Sequence, residues 1–449
     1  MKKKQEIFRL VTDSATHGDL GGSCGVVGVA VKKAARTLDY RVTETFVPLT
    51  DKTSQIHVPE NNQIYFIFEE LLNRTYLSDS AKKLVYFNLH YFTFLRDAKL
   101  NNISSFEGAS VTLFNSRYLK KCFDHCFAFS QGRFFQTPID VLEPACPTSI
   151  YPKKGYPTAG PEIDVEDLKN YSNQYLLGHS MRYGKHDVQY TLELMGRLNE
   201  LATSIGYKGA RLFIPRRSLP GFKNGLKDLK MDPDIEETLF PIDHLSNVAM
   251  REMMSQCHFS LCYDSMIEAF GFYPLESIFE GCPVYSNGAG NLRHLLPANH
   301  GLKVADHLSA YFGSKKEKSL AYTQIATSIF KSIASGEGKR HCIAGQKYIE
   351  KKYGFKTFAT KLGNILAKTN NKNQRKRTNP GANRSGILEH SPYVRLFESR
   401  NRQYVTDFGP IIASPTSKNY QLNTTLSASE VIRALDSLDP RLFTVKVTR

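Results

Sequence analysis

Short apolar segments alternate with amphipathic segments in the first third of the chain. Strands are predicted at residues 6–13, 64–68, 84–88 and 110–114, where apolar residues dominate. Polar or glycine-containing loops follow these runs, and helical patterns begin at residues 29 and 117. Alternation of this kind is typical of a parallel sheet covered by helices.

The same alternation returns further along the chain. Apolar residues at 188, 192, 195, 198, 201 and 205 predict an amphipathic helix over 188–205. Strands are predicted at 174–178, 210–215, 239–243 and 257–263, and further helices at 245–256, 319–334 and 342–367, the last two closing this second domain. Two α/β domains with doubly wound sheets, facing each other across a cleft, are the expected architecture.

Composition shifts divide the chain into five parts. Residues 1–150 are expected to form the first Rossmann-like domain, and a linker rich in proline and glycine is expected at 151–172. Residues 173–368 are expected to form the second domain. A basic linker over 369–390 is predicted to be disordered, and 391–449 form a small basic appendix with short strands and a helix at 427–438.

Residues 259–288 carry the most informative pattern. An apolar strand is followed by a polar loop, a glycine turn and a helix that we expect to begin at Pro274 and to end at Gly281. Glu276 is expected in the first turn, and a second strand should follow Pro283. A helix start at the end of a strand presents unpaired backbone amides, which are suited to binding a phosphate.

This segment resembles the donor-binding core of the GT-B glycosyltransferases, in particular the large retaining family that contains sucrose and glycogen synthases. That family has two glutamates separated by seven residues, and Glu268 and Glu276 have this spacing. Six surrounding residues also match: Phe270, Gly271, Leu275, Gly281, Pro283 and Val284. The resemblance implies transfer of a sugar, with retention, from a nucleoside-diphosphate sugar.

The resemblance also implies roles for individual residues. Glu268 would contact the sugar and Glu276 the ribose hydroxyls, a task that suits a carboxylate with two acceptor oxygens. Backbone amides near Gly271, Phe272 and Tyr273 would complete the diphosphate site.

Cations for the diphosphate are expected after the strand at 174–178. Arg182 and Lys185 stand where the family has such a pair, although His179 follows Gly178 here and displaces the arginine. We found no resemblance to the Asp-x-Asp metal site of the other major transferase fold, so we expect no metal and no other cofactor.

The first domain is expected to contribute the acceptor side. The loop containing Gly21, Gly22 and Gly25 resembles the glycine-rich loop that approaches donor or acceptor in the family. His90 and Asn115 follow two strands at the edge where open parallel sheets bind ligands. With His90, the candidate catalytic residues are Glu268, Lys185 and Arg182.

Composition and net charge limit the expected location of the protein and the classes of partner that it would bind. No apolar run approaches the roughly 20 residues that cross a bilayer, and no apolar core of a signal peptide follows the basic start, so a cytoplasmic protein is expected. Net charge is +16, and residues 368–449 alone contain 14 Lys/Arg against six Asp/Glu. This favours anionic partners such as nucleotide sugars, phosphorylated acceptors or the inner membrane surface.

Several alternatives stay open. The acceptor is a glycan, lipid, peptide or small molecule, and the appendix, through residues 420–423, faintly resembles winged-helix peptide-recognition domains. A GT-B epimerase or phosphorylase would share the phosphate site, and a silent GT-B scaffold would bind partners through its basic appendix. Nucleic acid is not expected, because the basic residues lack interleaved aromatics. The eight scattered cysteines predict neither disulfides nor zinc.

Overall fold

The structure is a computed structural model of the 449-residue chain. The residues that it describes are 6–12, 23–47, 56–57, 63–68, 75–76, 81–87, 109–120, 138–151, 165–181, 188–243, 245, 247–263, 268–288, 290–305, 314–370, 386–390, 397–398, 404–406, 409–413, 420–422 and 443–447.

Strands and helices follow one another through both halves of the chain. The strands are β1 (Ile7–Thr12), β2 (Arg41–Phe46), β3 (Ile56–His57), β4 (Gln63–Phe68), β5 (Thr75–Tyr76), β6 (Lys82–Phe87), β7 (Val111–Phe114), β8 (Ile139–Val141), β9 (Leu176–His179), β10 (Ala210–Pro215), β11 (Leu239–Ile242), β12 (Phe259–Cys262), β13 (Val284–Ser286), β14 (Leu302–Val304), β15 (Gly386–His390), β16 (Phe397–Glu398), β17 (Tyr404–Thr406), β18 (Gly409–Ala413), β19 (Tyr420–Leu422) and β20 (Phe443–Val447). The helices are α1 (Ser23–Thr37), α2 (Pro147–Ile150), α3 (Val165–Gln174), α4 (Val188–Ser204), α5 (Leu219–Asp228), α6 (Asn247–Gln256), α7 (Phe272–Phe279), α8 (Leu292–Leu295), α9 (Lys315–Ala334), α10 (Glu337–Tyr353) and α11 (Phe355–Asn370).

The first sheet is six-stranded and parallel, in the order β2-β1-β4-β6-β7-β8. Every residue of β4 and β7 is buried, as are five of the six residues of β6. Central parallel strands are covered on both faces, so their sequences are nearly continuous apolar runs. This explains why short apolar runs identified these three strands correctly.

The second sheet is also six-stranded and parallel, in the order β11-β10-β9-β12-β13-β14. Helices α4 and α9 pack together over it. Tyr190 of α4 meets Tyr322 of α9 edge-on and stacks on Tyr263, which follows β12, with 4.2 Å between ring centroids. The predicted helix over 188–205 is confirmed by α4.

The chain folds into two compact units whose bounds differ from those of the predicted domains. One unit contains Met1–Ala145, Tyr353–Arg395 and Pro415–Arg449, and the other contains Cys146–Lys352 and Leu396–Ser414. Helix α11, which we expected to close the second domain, instead packs against α1. Lys361 Nζ lies 2.6 Å from the carboxylate of Glu143 in the same unit.

Local sequence explains two further differences. The predicted helix over 342–367 is two helices, α10 and α11, and Gly354 separates them; glycine is a poor helix former. Helix α3 lies partly inside the predicted proline-rich linker, because the helix-forming sequence from Val165 follows the prolines. Strand β15 lies in the segment 369–390 that was predicted to be disordered, and together with β16 to β20 of the appendix it forms two three-stranded antiparallel sheets. The predicted helix at 427–438 lies outside the described residues.

Candidate functional site

The sheet of the second unit has a topological switch between β9 and β12. The chain proceeds from β9 to β10 and β11 on one side, and then returns to β12, β13 and β14 on the other. The crossovers from β9 to β10 and from β12 to β13 therefore lead to opposite sides of the sheet. Ligands of open α/β sheets bind at such a point.

Helix α7 begins beside this switch. Its N-cap residue, Gly271, has φ = +113°. A Cβ atom at this position would lie 2.9 Å from Leu295 Cδ2 and 3.7 Å from Glu268 Cγ. Glycine is therefore required both by the backbone conformation and by the space. The helix starts at Phe272, two residues before the expected start at Pro274.

The two glutamates lie on either side of this helix start. Glu268 precedes the turn and is 9% exposed. Glu276 is the fifth residue of α7 and partly exposed, so the expectation that it lies in the first turn is wrong. Its carboxylate lies close enough to Cys146 to help raise the pKa of that thiol to about 12, although burial is the main cause. Both glutamates belong to the same unit and to one loop–helix segment.

Asn291, which sequence reasoning missed, fixes the loop before the helix. Its backbone amide donates to Glu268 O at 2.8 Å, and its side-chain Nδ2 donates to Phe270 O at 2.7 Å. Glu268 also forms an isolated parallel β-bridge with Gly290. The Gly-x-Gly-Asn sequence ending at Asn291 was a visible signal, but only the topology shows which loop it contacts.

A buried hydrogen-bond network joins α7 to β9 and β12. The Tyr273 hydroxyl is 2.6 Å from His179 Nδ1, and it accepts hydrogen bonds from Ser260 Oγ at 3.0 Å and from the Met181 amide at 3.1 Å. His179 Nε2 is 3.2 Å from Ser277 Oγ. The expected loop position of His179 is wrong, because this residue ends β9 and is fully buried.

Burial sets the charge state of this histidine. It lowers the pKa of His179 from 6.5 to about 3, so the imidazole is neutral at physiological pH. Burial likewise raises the pKa of the Tyr273 hydroxyl well above 10.0. The network is therefore an uncharged set of hydrogen bonds between strand and helix.

Gly178 lets β9 and β12 approach each other. A Cβ atom at Gly178 would lie 2.2 Å from the Phe259 ring, far closer than van der Waals contact allows. The ring occupies the space that a side chain would need. The glycine that the sequence placed before the candidate phosphate loop thus has a packing role in the sheet.

Five of the remaining candidate residues lie outside the described residues: Arg182, Lys185, His90, Gly21 and Gly22. Gly25, expected in a loop, is the third residue of α1, because that helix begins at Ser23 and not near residue 29.

Asn115 is where the sequence placed it, at the carboxyl end of β7. It is 1% exposed, and its backbone amide donates to Phe87 O at 3.1 Å. Asn115 therefore lies at the carboxyl-end edge of the first sheet, as predicted, but it is buried.

No cluster of three or more His, Cys, Asp or Glu suited to a metal ion occurs within the described ranges. The chain does contain one literal Asp-x-Asp spacing, at Asp232 and Asp234, which the sequence analysis overlooked. Asp232 caps the 3-10 turn Pro233–Thr238, and its carboxylate accepts the Asp234 amide at 3.0 Å. This pair has a local structural role. Helices of the described segments include none long and apolar enough to cross a bilayer.

No protein-family model matches the sequence, and comparison with curated protein sequences gives no match. Solved structures do match. A UDP-forming trehalose-phosphate synthase from Burkholderia xenovorans is 9% identical with a TM-score of 0.55, over 83% of this chain and 100% of that one. Sucrose-phosphate synthase from Thermosynechococcus elongatus is 10% identical with a TM-score of 0.52, over 81% and 99%. Anabaena HepE in complex with UDP and glucose is 11% identical with a TM-score of 0.52, over 81% and 100%.

These likenesses establish the fold. The chain has the GT-B architecture of two Rossmann-like α/β domains, and the fold expected from the segment 259–288 is confirmed. Sequence identities of 9–11% show the fold but not the activity, which depends on the residues of the site.

Proposed function

We propose that this protein is a glycosyltransferase that moves a sugar from a nucleoside-diphosphate sugar to an acceptor, with retention and without a metal ion. One observation carries the proposal: Glu268, the left-handed Gly271 and Glu276 surround the start of α7 beside the switch point of the second sheet. A GT-B fold supplies the matching context.

The diphosphate would lie against the amides of Gly271, Phe272 and Tyr273. A helix start carries partial positive charge and unpaired N–H donors, which complement a phosphate. Glu268 would accept hydroxyl hydrogen bonds from the sugar, and Glu276 would accept those of the ribose.

Arg182 and Lys185 follow β9 by three and six residues, and they would neutralise the charge that develops on the leaving diphosphate. Preorganised cations and amides supply much of the acceleration in such reactions. The bond between the anomeric carbon and the phosphate oxygen breaks, and that oxygen keeps the electron pair. The acceptor hydroxyl attacks the same face of the sugar cation and gives its proton to the departing phosphate.

The first unit would hold the acceptor. Gly21, Gly22 and Gly25 are proposed to approach the ligands, and His90 and Asn115 to meet the acceptor hydroxyl. A net charge of +16 supports an anionic acceptor, a peptide or a peripheral contact with an anionic membrane surface.

A uridine nucleotide is the donor to test first. HepE, which shares the fold, binds UDP and glucose. Saturating UDP-glucose should raise the melting temperature of this protein, since a ligand that binds only the native state stabilises it by mass action. The same donor should be hydrolysed slowly when no acceptor is present.

Variants of the two glutamates test the assignment. Glu276→Ala should weaken UDP binding measured by calorimetry, whereas Glu268→Ala should bind UDP like the parent and lose turnover. Glu237→Ala, an exposed acid of the same unit, is the control. If the Glu276 and Glu268 variants bind and react like this control, the assignment is wrong; binding without any turnover in the parent would indicate a silent scaffold.

Metal independence is tested with excess chelator, which should leave donor hydrolysis unchanged. Lys185→Ala should lose about 2–4 kcal/mol of transition-state stabilisation, typical of one preorganised charge contact, whereas Lys227→Ala should not. Activity that disappears with chelator and returns with manganese or magnesium would contradict the proposal.

A further inference from the structure

The hydrogen bonds of Tyr273 join two parts of the candidate donor site. Tyr273 is the second residue of α7, so its backbone belongs to the helix start. Its hydroxyl accepts the Met181 amide at 3.1 Å, and Met181 is the last residue before the segment 182–187 that carries Arg182 and Lys185.

The hydroxyl is saturated by these partners. A phenol has one proton and two acceptor lone pairs. Ser260 and the Met181 amide donate to it, and its own proton goes to an acceptor of His179, where Nδ1 lies at 2.6 Å and the backbone oxygen at 3.2 Å. Each of these groups is therefore satisfied only while the tyrosine hydroxyl stays in place.

The contacts of Ser277 indicate which nitrogen of His179 carries the proton. Ser277 Oγ donates to Cys282 O at 3.1 Å, so it accepts from His179 Nε2. With the proton of the neutral imidazole on Nε2, Nδ1 accepts the proton of the Tyr273 hydroxyl. Tyr273 and Ser277 are four residues apart and lie on one face of α7. Two consecutive turns of the helix are thereby attached to β9.

The geometry points to a positioning role for the Tyr273 hydroxyl: it fixes the point at which the chain leaves β9 relative to the start of α7. This inference rests on the proposed function, because its consequence is that the amides at the start of α7, which would hold the donor diphosphate, stay fixed relative to β9. Displacement of a catalytic group by about 1 Å can cost 100-fold in rate. The hydroxyl touches neither donor nor acceptor in this role.

Tyr273→Phe tests the inference, because it keeps the ring and removes only the hydroxyl. Its kcat/KM for UDP-glucose hydrolysis should fall about 10- to 100-fold. The control is Tyr190→Phe, which also removes a buried tyrosine hydroxyl of this unit, one that donates to Ala305 O at 3.4 Å. The control should lose less thermal stability than Tyr273→Phe, because its hydroxyl forms a single long hydrogen bond, and it should keep the parent kcat/KM.

The outcomes separate the two proposals. If the parent binds no UDP-sugar, the proposed function fails. If the parent reacts and both tyrosine variants retain the same kcat/KM, or lose it equally, the hydroxyl has only a structural role and the inference is overturned.

Amide hydrogen exchange adds a measurement that does not require the variant to fold. In the parent, the Met181 amide should be strongly protected from exchange, because it is bonded to a buried hydroxyl. Exchange at the rate of an exposed amide would overturn the inference. Where Tyr273→Phe folds, this amide should lose its protection while that of Ala210, bonded to Asn199 in the same unit, stays unchanged.

Discussion

Protonation of His179 should make the second unit sensitive to acid. Burial lowers the pKa of His179 to about 3 in the folded chain, against 6.5 as the ordinary value. As the pH falls below 6.5, the unfolded chain binds a proton that the folded chain does not. The contribution of this histidine to stability is therefore complete above pH 6.5 and is lost progressively as the pH falls towards 3.

The two pKa values give the size of the effect. At pH 5 an unfolded histidine is almost fully protonated and the folded one is almost fully neutral, so the free energy of unfolding should be about 2 kcal/mol lower than at pH 7.5. Burial also lowers the pKa of His258, to about 4. That side chain is partly exposed, so its contribution should be smaller. Glu193, whose pKa is raised by burial, acts in the opposite direction.

The variant His179→Gln isolates the contribution of this histidine to the pH dependence of the free energy of unfolding. It removes the titration but retains a side chain able to donate and accept hydrogen bonds. Urea unfolding followed by circular dichroism at pH 7.5 and pH 5 suits a chain without tryptophan. The parent should lose about 2 kcal/mol more than the variant between the two pH values. Equal losses, or a His179 imidazole that titrates near 6.5 in the folded protein by NMR, would refute the reasoning.

Two further predictions concern packing. Arg251 and Glu280 form an ion pair whose side chains are 6% and 4% exposed, so Arg251→Met alone should destabilise the protein by about 3–5 kcal/mol and leave a buried charge. The double variant with Glu280→Leu should recover most of that loss in urea unfolding; no recovery would mean that the pair itself is the source of stability. A chain ending at Asn370 should fold and hydrolyse donor, whereas one ending at Tyr353 should lose the α11 contact with α1 and melt at a lower temperature. Equal melting of the two truncated chains would contradict that role of α11.

The sequence predicted the central strands well because they are nearly all apolar, whereas the less buried strands β2, β8 and β14 were not predicted. β4, β10 and β12 begin and end within two residues of their predicted limits. Buried parallel strands need continuous apolar runs, and these runs are visible without any knowledge of the fold. The pair Glu268 and Glu276 was visible for a different reason, since both belong to one local segment.

Other parts of the site depend on contacts between distant segments. His179 and Tyr273 are 94 residues apart, and a histidine after an apolar run gave no sign that it would be buried between strand and helix. The return of α11 to the first unit was equally hidden, because an amphipathic pattern shows that a helix has an apolar face but not what covers it. These features follow from topology.

Helix α7 unites these observations. With eight residues it is too short to be stable on its own, since isolated helices below about 12–15 residues are marginal in water. Buried polar contacts hold it along its length: Asn291 fixes the loop before it, His179 bonds its side chains in the middle, and Arg251 pairs with Glu280 at its end. If the proposed donor diphosphate binds at the start of this helix, these contacts would hold the backbone amides in line before the ligand arrives. Preorganisation of that kind stabilises charge without reorganisation, and it would account for the burial of so many polar groups around so short a helix.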